Sequence, residues 1–149
     1  METVRIYEIP DCKMVSSGIG MFGEEKFDTF FKWFTSLPRQ IFPHDFLFFE
    51  GEEQSFRGMH WLHIYEDGME VPDGYEIIEF KGGLYAVSTD IDQKTDIESM
   101  NKIKNEFYEL HGLEIDKSRP ELGNIITSPL GEKILGYNQM DYWTPIKQK

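Results

Sequence analysis

A recurrence at an interval of 71 to 73 residues constrains this chain more than any other feature. Glu8-Ile9 and residues 14–17 are matched, 71 positions on, by Glu79-Phe80 and residues 85–88. Each pair is two apolar segments split by a short polar or glycine break. Phe27, Phe30, Phe34 and Leu37 follow at i, i+3, i+7 and i+10. The same spacing returns 73 positions later as Met100, Ile103, Phe107 and Leu110. That spacing lays one apolar stripe along a helix, so two helices are predicted with those residues inward. The first helix ends before Pro38. The second has a capping box, Thr95-x-x-Glu98, and a stop at Gly112-Leu113. Two strand candidates follow each helix: residues 46–50 and 60–65, then 122–127 and 140–146. Polar loops, 51–58 and 128–138, join the members of each pair. Strand–helix–strand–strand therefore occurs twice, and repetition of this kind marks a duplicated unit. The expected fold is α+β, a duplicated module with an antiparallel sheet, two main helices on one face and a cleft between repeats. Repeat 1 covers about residues 3–66 and repeat 2 about 75–147, all within one domain of 149 residues. The acidic linker 66–74 carries Gly and Pro, as a turn should.

Charge narrows the partners. Lys+Arg total 15 and Asp+Glu 27, a formal net charge of −12, so there is no basic surface to displace counterions from a phosphate backbone. Direct nucleic-acid binding is not expected. No apolar run approaches the roughly 20 residues of a membrane span, and residues 1–10 lack a signal-peptide core. A single cysteine, Cys12, excludes an internal disulfide and fits a reducing cytoplasm. It sits at a predicted turn without a basic activator, as a small packing residue would. Aromatic residues make up 15% of the chain, a surplus that asks for a use.

Strand alternation says where those aromatics point. In 60–66, Leu62 and Ile64 share one face, expected to meet the helices, while Trp61, His63 and Tyr65 share the other. In the last strand Tyr142 points one way, and Asp141 and Trp143 the other. The equivalent places of these strands in the two repeats put Trp61, Tyr65 and Trp143 around one concavity. Rigid aromatic walls with a few polar groups suit a small-molecule pocket. The alternative is that the same rings fill the seam between repeats. Tyr142 and Tyr108 complete the expected ligand-lining set with His63. Trp33, beside the apolar stripe of its helix, either overhangs a pocket mouth or covers the core edge. His63, with Glu50 or Glu66 nearby, is a candidate general base, and Tyr65 a further candidate in catalysis. His60-x-x-His63 places its members on opposite strand faces, a poor chelate, so no metal is expected, and nothing points to a cofactor. Gly82-Gly83 is no phosphate cradle, since neither Lys-Ser/Thr nor a helix follows; it predicts a bend or bulge. The acidic loop 50–53 is expected on the surface, where it raises the local concentration of cations.

Residues 75–87, YEIIEFKGGLYAV, resemble the second-repeat opening of the GyrI-like, or AraC-type effector-binding, family: a strand, a small-residue break, then Tyr-Ala-Val. The end, residues 140–147 (MDYWTPIK), is similar to that family's closing strand, and residues 4–10 and Arg119-Pro120 also fit. The resemblance covers about residues 3–147. It implies a duplicated strand–helix–strand–strand fold whose inter-repeat cleft binds small molecules, often aromatic cationic drugs. Members accompany helix-turn-helix regulators of AraC or MerR type, or stand alone. Some stand-alone members resemble hydrolases that open the cyclopropane of duocarmycin-type alkylators, and another relative inhibits gyrase. Many members carry a buried glutamate shortly after the Arg-Pro segment; the corresponding position here is Gly123, and Glu121 is out of register by two. That glutamate's role is therefore not carried over.

The function expected is a stand-alone domain that binds a small aromatic or amphipathic molecule, a cation among the options, for drug sequestration or transcription-related sensing. The alternatives are a hydrolase of electrophilic cyclopropane-type genotoxins, using His63, Glu50 and Tyr65, and a gyrase-inhibitor-like protein interaction module. A protein partner and a homodimer both stay open.

Overall fold

The computed structural model describes residues 1–51 and 56–149. The expected acidic surface at Glu52 and Glu53, with the middle of loop 51–58, lies outside the described residues. In chain order the elements are β1 (Arg5–Ile9), β2 (Cys12–Gly20), α1 (Glu25–Thr35), β3 (Asp45–Glu50), β4 (Gly58–Ile64), β5 (Glu76–Phe80), β6 (Gly83–Ile91), α2 (Ile97–His111), β7 (Leu113–Ile115), β8 (Leu122–Ile125), α3 (Pro129–Leu135) and β9 (Gln139–Gln148). Every strand pairing within the two units below is antiparallel, so the fold is α+β. The chain divides into two compact units: residues 11–81 form one, and residues 1–10 with 82–149 form the other. The opening strands are therefore exchanged. β1 leaves its sequence neighbours to pair with β6, and β5 pairs back onto β2.

In the unit of residues 11–81 the strand order is β3-β4-β2-β5. A bulge between Ser16 and Ile19, with Gly18 at φ 79°, sets two residues of β2 against Trp61. The Ser17 hydroxyl accepts the Trp61 backbone N–H at 3.0 Å, replacing the ladder bond that the bulge removes. Helix α1 lies over β2 and β4 and buries Phe27 and Phe30. Burial of rings that size stabilises by about 1.5–3 kcal/mol each. The strand face it covers is not the expected one: Trp61 meets Phe27 at 5.4 Å and Phe34 at 5.2 Å, and His63 meets Phe34 at 5.7 Å. Period-two alternation separates two faces but does not say which one a helix will take. The larger rings of Trp61 and His63 fill the space under α1, and Leu62 is fully buried on the other face.

The other unit has the order β1-β6-β9-β8, with β7 on the far end of β9. Helix α2 packs through Tyr108 onto Val4, Ala86 and Ile146. Its inward residues are Met100, Lys104 and Tyr108. The expected stripe is thus rotated: Ile103 is 44% and Leu110 79% exposed. The apolar stem of Lys104 goes inward because its amine finds acceptors there, the Tyr142 carbonyl and the Thr144 hydroxyl, both at 3.0 Å. The cap differs as well. Asp96, not Thr95, accepts the Ser99 N–H, while Thr95 bonds the Tyr142 hydroxyl at 2.8 Å. Helix α3 stands where a polar loop is predicted; Ser128 caps it, Pro129 opens it, and Gly136 closes it in the left-handed region. Gly82-Gly83 is a bend, as expected. A side chain at Gly82 would meet the Ile9 carbonyl oxygen, and one at Gly83 (φ 145°) would lie 2.6 Å from the Arg119 guanidinium.

Candidate functional site

The sequence-predicted residues fall into both units. Trp61, His63 and Trp33 all lie in residues 11–81, where Trp33 meets His63, and Trp61 and His63 share a carboxylate that alternation alone does not reveal. Antiparallel register sets Asp45 of β3 directly opposite His63 of β4. The Trp61 indole N–H donates to Asp45 Oδ2 at 3.0 Å. Burial pushes the Asp45 carboxyl above its ordinary value, and the indole bond with nearby His63 and His44 offsets part of that. Trp61 is 8% exposed and ringed by Phe22, Phe27, Phe31 and Phe34. It is a core residue of this unit, not a free wall.

His63 donates Nδ1–H to the Ile64 carbonyl at 2.8 Å. A carbonyl only accepts, so the neutral ring carries its lone pair on Nε2. Burial pushes the His63 pKa below the ordinary histidine value; the Ile64 bond and Asp45 pull it back, and His44 adds to the depression. The expected partnership with Glu50 does not form. Glu50 projects from the opposite face of β3 and bonds His60 Nε2 at 2.9 Å. The pairing register puts Glu50 on the His60 face of the sheet and Asp45 on the His63 face, so the acid meets the other histidine. Tyr65 follows the end of β4, half-buried, with its backbone N–H on the Lys13 carbonyl.

Trp33 is half-buried. Its ring lies 5.9 Å from His63, 5.4 Å from Phe30 and 5.7 Å from Tyr75. It also lines a hollow of about 890 Å³, with Ser36, Leu37 and Pro38 after α1 and residues 66–73 opposite. The opposite wall brings four carboxylates, Glu66, Asp67, Glu70 and Asp73, beside Met69, Val71 and Pro72. Among the described residues no lysine or arginine lines it. The segment predicted as a linker is thus half of a concavity. The signal for this in the sequence is its charge: four acids within eight residues, facing the end of a helix whose carbonyls are partly negative.

Trp143, Tyr142 and Tyr108 belong to the other unit. Trp143 donates its indole N–H to Asn124 Oδ1 at 2.9 Å and stacks on Tyr7 at 5.3 Å. Beside it Arg5 pairs with buried Asp141 at 2.7 Å. Tyr142 lies on the α2 face with its hydroxyl on Thr95, and burial raises its pKa. Tyr108 is 5% exposed, and burial pushes its hydroxyl up to about 12. Burial brings Lys104 down to about 8, against the pull of Glu121 and Asp141. Gly123, opposite Tyr142 on β8, carries no charge, so Lys104 is the buried ion on this face. Among the described residues no three His, Cys, Asp or Glu side chains converge as metal ligands would. No helix among them is long and apolar enough to cross a membrane.

Lys104 gives stability a defined pH dependence. Its folded pKa lies below the ordinary 10.5, so between about pH 8 and 10.5 the unfolded chain binds more protons. Stability therefore rises with pH through that window. Tyr85 and Tyr108, both pushed up to about 12, reverse the sign above pH 10, where only the unfolded chain loses phenolic protons. Urea unfolding at pH 7.5, 9 and 10 is expected to show a gain of about 2 kcal/mol, absent from Lys104→Met. A flat profile in the parent protein would contradict this burial.

Neither a family model nor a curated protein matches the sequence. Solved structures do match the fold. The chain aligns with the EcmrR C-terminal domain over 98% of both chains, at TM-score 0.63 and 9% identity. Against EcmrR in its DNA complex it covers 57% of that longer chain, at TM-score 0.62 and 10% identity. It aligns with a hydrolase from Listeria innocua over 97% of this chain and 92% of that one, at TM-score 0.66 and 10% identity. It aligns with SAV2435 bound to tetraphenylphosphonium over 99% and 94%, at TM-score 0.52 and 14% identity. The chain thus has the fold shared by the EcmrR C-terminal domain, the Listeria hydrolase and SAV2435.

Proposed function

We propose that this chain is a small-molecule-binding domain of the GyrI-like, effector-binding kind, and that its ligand is an aromatic, amphipathic organic cation. The observation that carries this reading is the hollow beside Trp33: an indole wall, a few apolar side chains and four carboxylates without a compensating base. An indole face attracts a cation by about 0.5–2 kcal/mol, and a carboxylate rim raises its local concentration. About 890 Å³ is the size of a pocket for a drug-sized molecule. SAV2435, which shares the fold, is bound to an organic cation. Sequestration of such a compound, or its sensing for transcription, is the role that follows.

The test is a titration with tetraphenylphosphonium, followed by calorimetry, beside its neutral analogue triphenylphosphine oxide. The cation is expected to bind and the neutral compound to bind far more weakly. Trp33→Ala is expected to weaken the cation about tenfold, with unfolding little changed because Trp33 is only half-buried. Equal affinity of Trp33→Ala and the parent protein would remove the hollow from the site.

A further inference from the structure

His63 touches the Trp33 ring that lines the hollow. The two rings meet at 5.9 Å, edge to face, and Trp33 is the side chain common to His63 and the hollow. His63 is itself 9% exposed, and α1 presents Phe34 and Trp33 to it, neither of which carries charge. From β2 it faces Val15, its cross-strand partner. The groups that titrate around it are Asp45 on β3, His44 just before that strand and Glu66 after β4. Glu66 also lines the hollow. One histidine thus shares an aromatic neighbour and an acid neighbour with the cavity.

We propose that His63 is a proton-operated release element for the hollow: when its ring takes up a proton, the cation bound against Trp33 is expelled. This rests on the reading that the hollow holds an organic cation. The physical argument is competition. An imidazolium touching Trp33 draws on the same indole quadrupole and on the same Glu66 carboxylate as the ligand, and repels it. At neutral pH burial keeps His63 uncharged, so the hollow's negative rim is uncompensated. Acidification supplies an internal cation, and the ligand loses. By linkage the ligand must in turn make His63 harder to protonate.

The experiment measures tetraphenylphosphonium affinity at pH 7.5 and 5.5, a window above ordinary carboxylate titration. The parent protein is expected to bind about fivefold more weakly at pH 5.5, a repulsion of the size expected between partly screened charges. His63→Gln is expected to change less than twofold, and His44→Gln to keep at least the parent's loss, since removing His44 relieves part of the depression of His63. A parallel NMR titration of the His63 ring in the parent protein needs no variant: saturating tetraphenylphosphonium should lower its midpoint by more than about 0.7 pH, because a ring only partly protonated at pH 5.5 shows less than its whole coupling in the affinity. An unchanged or raised midpoint, or a His63→Gln profile equal to the parent's, overturns the proposal. Absence of binding at both pH values overturns the cation reading beneath it, which distinguishes the two failures.

Discussion

Arg119→Met is expected to lower the unfolding free energy by about 3–5 kcal/mol, the cost typical of deleting one partner from a buried charged network. Arg119 is 7% exposed. Its Nε donates to Asp116 Oδ2 at 2.9 Å, and Nη2 donates to the Leu84 carbonyl at 2.9 Å and the Ile146 carbonyl at 2.7 Å. The guanidinium also lies 4.9 Å from the Tyr85 ring centroid. One planar group thus ties β6 to β9 and fixes the turn before β8. Methionine fills much of the volume but removes the donors that Arg119 gives to the Leu84 and Ile146 carbonyls, and acceptors left short in the interior cost about 1–3 kcal/mol each. Lysine, a single point donor, cannot span Asp116 and both carbonyls, so Arg119→Lys should recover less than half of the loss. Urea midpoints of the three proteins decide this; a loss under about 1 kcal/mol for methionine would show the network to be ornamental. The same carboxylate has a second signature. Hydrogen bonds from Ser118 and Arg119 hold the Asp116 carboxyl far below the ordinary carboxylate range.

Trp61→Ala is expected to cost about 3–5 kcal/mol as well, by a different mechanism: a cavity under α1 where the indole was. It also removes the donor from Asp45 Oδ2, leaving a half-buried carboxylate without its indole partner. Asp45→Asn in the alanine background should then restore part of the stability, because a neutral amide is cheaper to bury than an uncompensated carboxylate. The contrast with Trp33 separates packing from binding. Trp61→Ala should unfold at much lower denaturant, whereas Trp33→Ala should lose ligand with its unfolding curve nearly intact. Thermal and urea unfolding of both variants checks this. If Trp61→Ala is as stable as the parent, the ring cluster under α1 is not the core of residues 11–81.

How much of this was legible in the sequence depends on which physical rule is at work. Strand positions were readable because alternation leaves a periodic trace, and α1 was readable because Phe27, Phe30 and Phe34 form an unambiguous stripe. Helix α2 misled for a chemical reason. Lys104 counts as polar in any pattern, yet its stem packs inward once Tyr142 and Thr144 supply acceptors, and Ile103 is turned out. Helix α3 carried its signals openly, Ser128-Pro129 before it and Gly136 after, but buries no residue, so no stripe announced it. The candidate site was half legible. Trp61, His63 and Trp33 were found by type and spacing. Asp45 was not, since its position opposite His63 is a matter of strand register, which the intervening loop sets. The hollow was legible only as charge: four acids within residues 66–73 mark the segment as acidic, but nothing in its pattern says that it curves back toward a helix end.

The exchanged opening strands bear on how the chain acquires its structure during synthesis. Residues 11–81 are contiguous and hold all four of their strands, so they are complete once residue 81 has left the ribosome. Residues 5–9, made before that unit, have their partner in β6, made after it, and β6 is itself joined to β9. That strand therefore waits, without its partner, until β6 has followed the whole unit of residues 11–81. Cutting the polypeptide at residues 66–74 would likewise not yield two independent halves: each fragment would keep a strand that belongs to the other and lack its own.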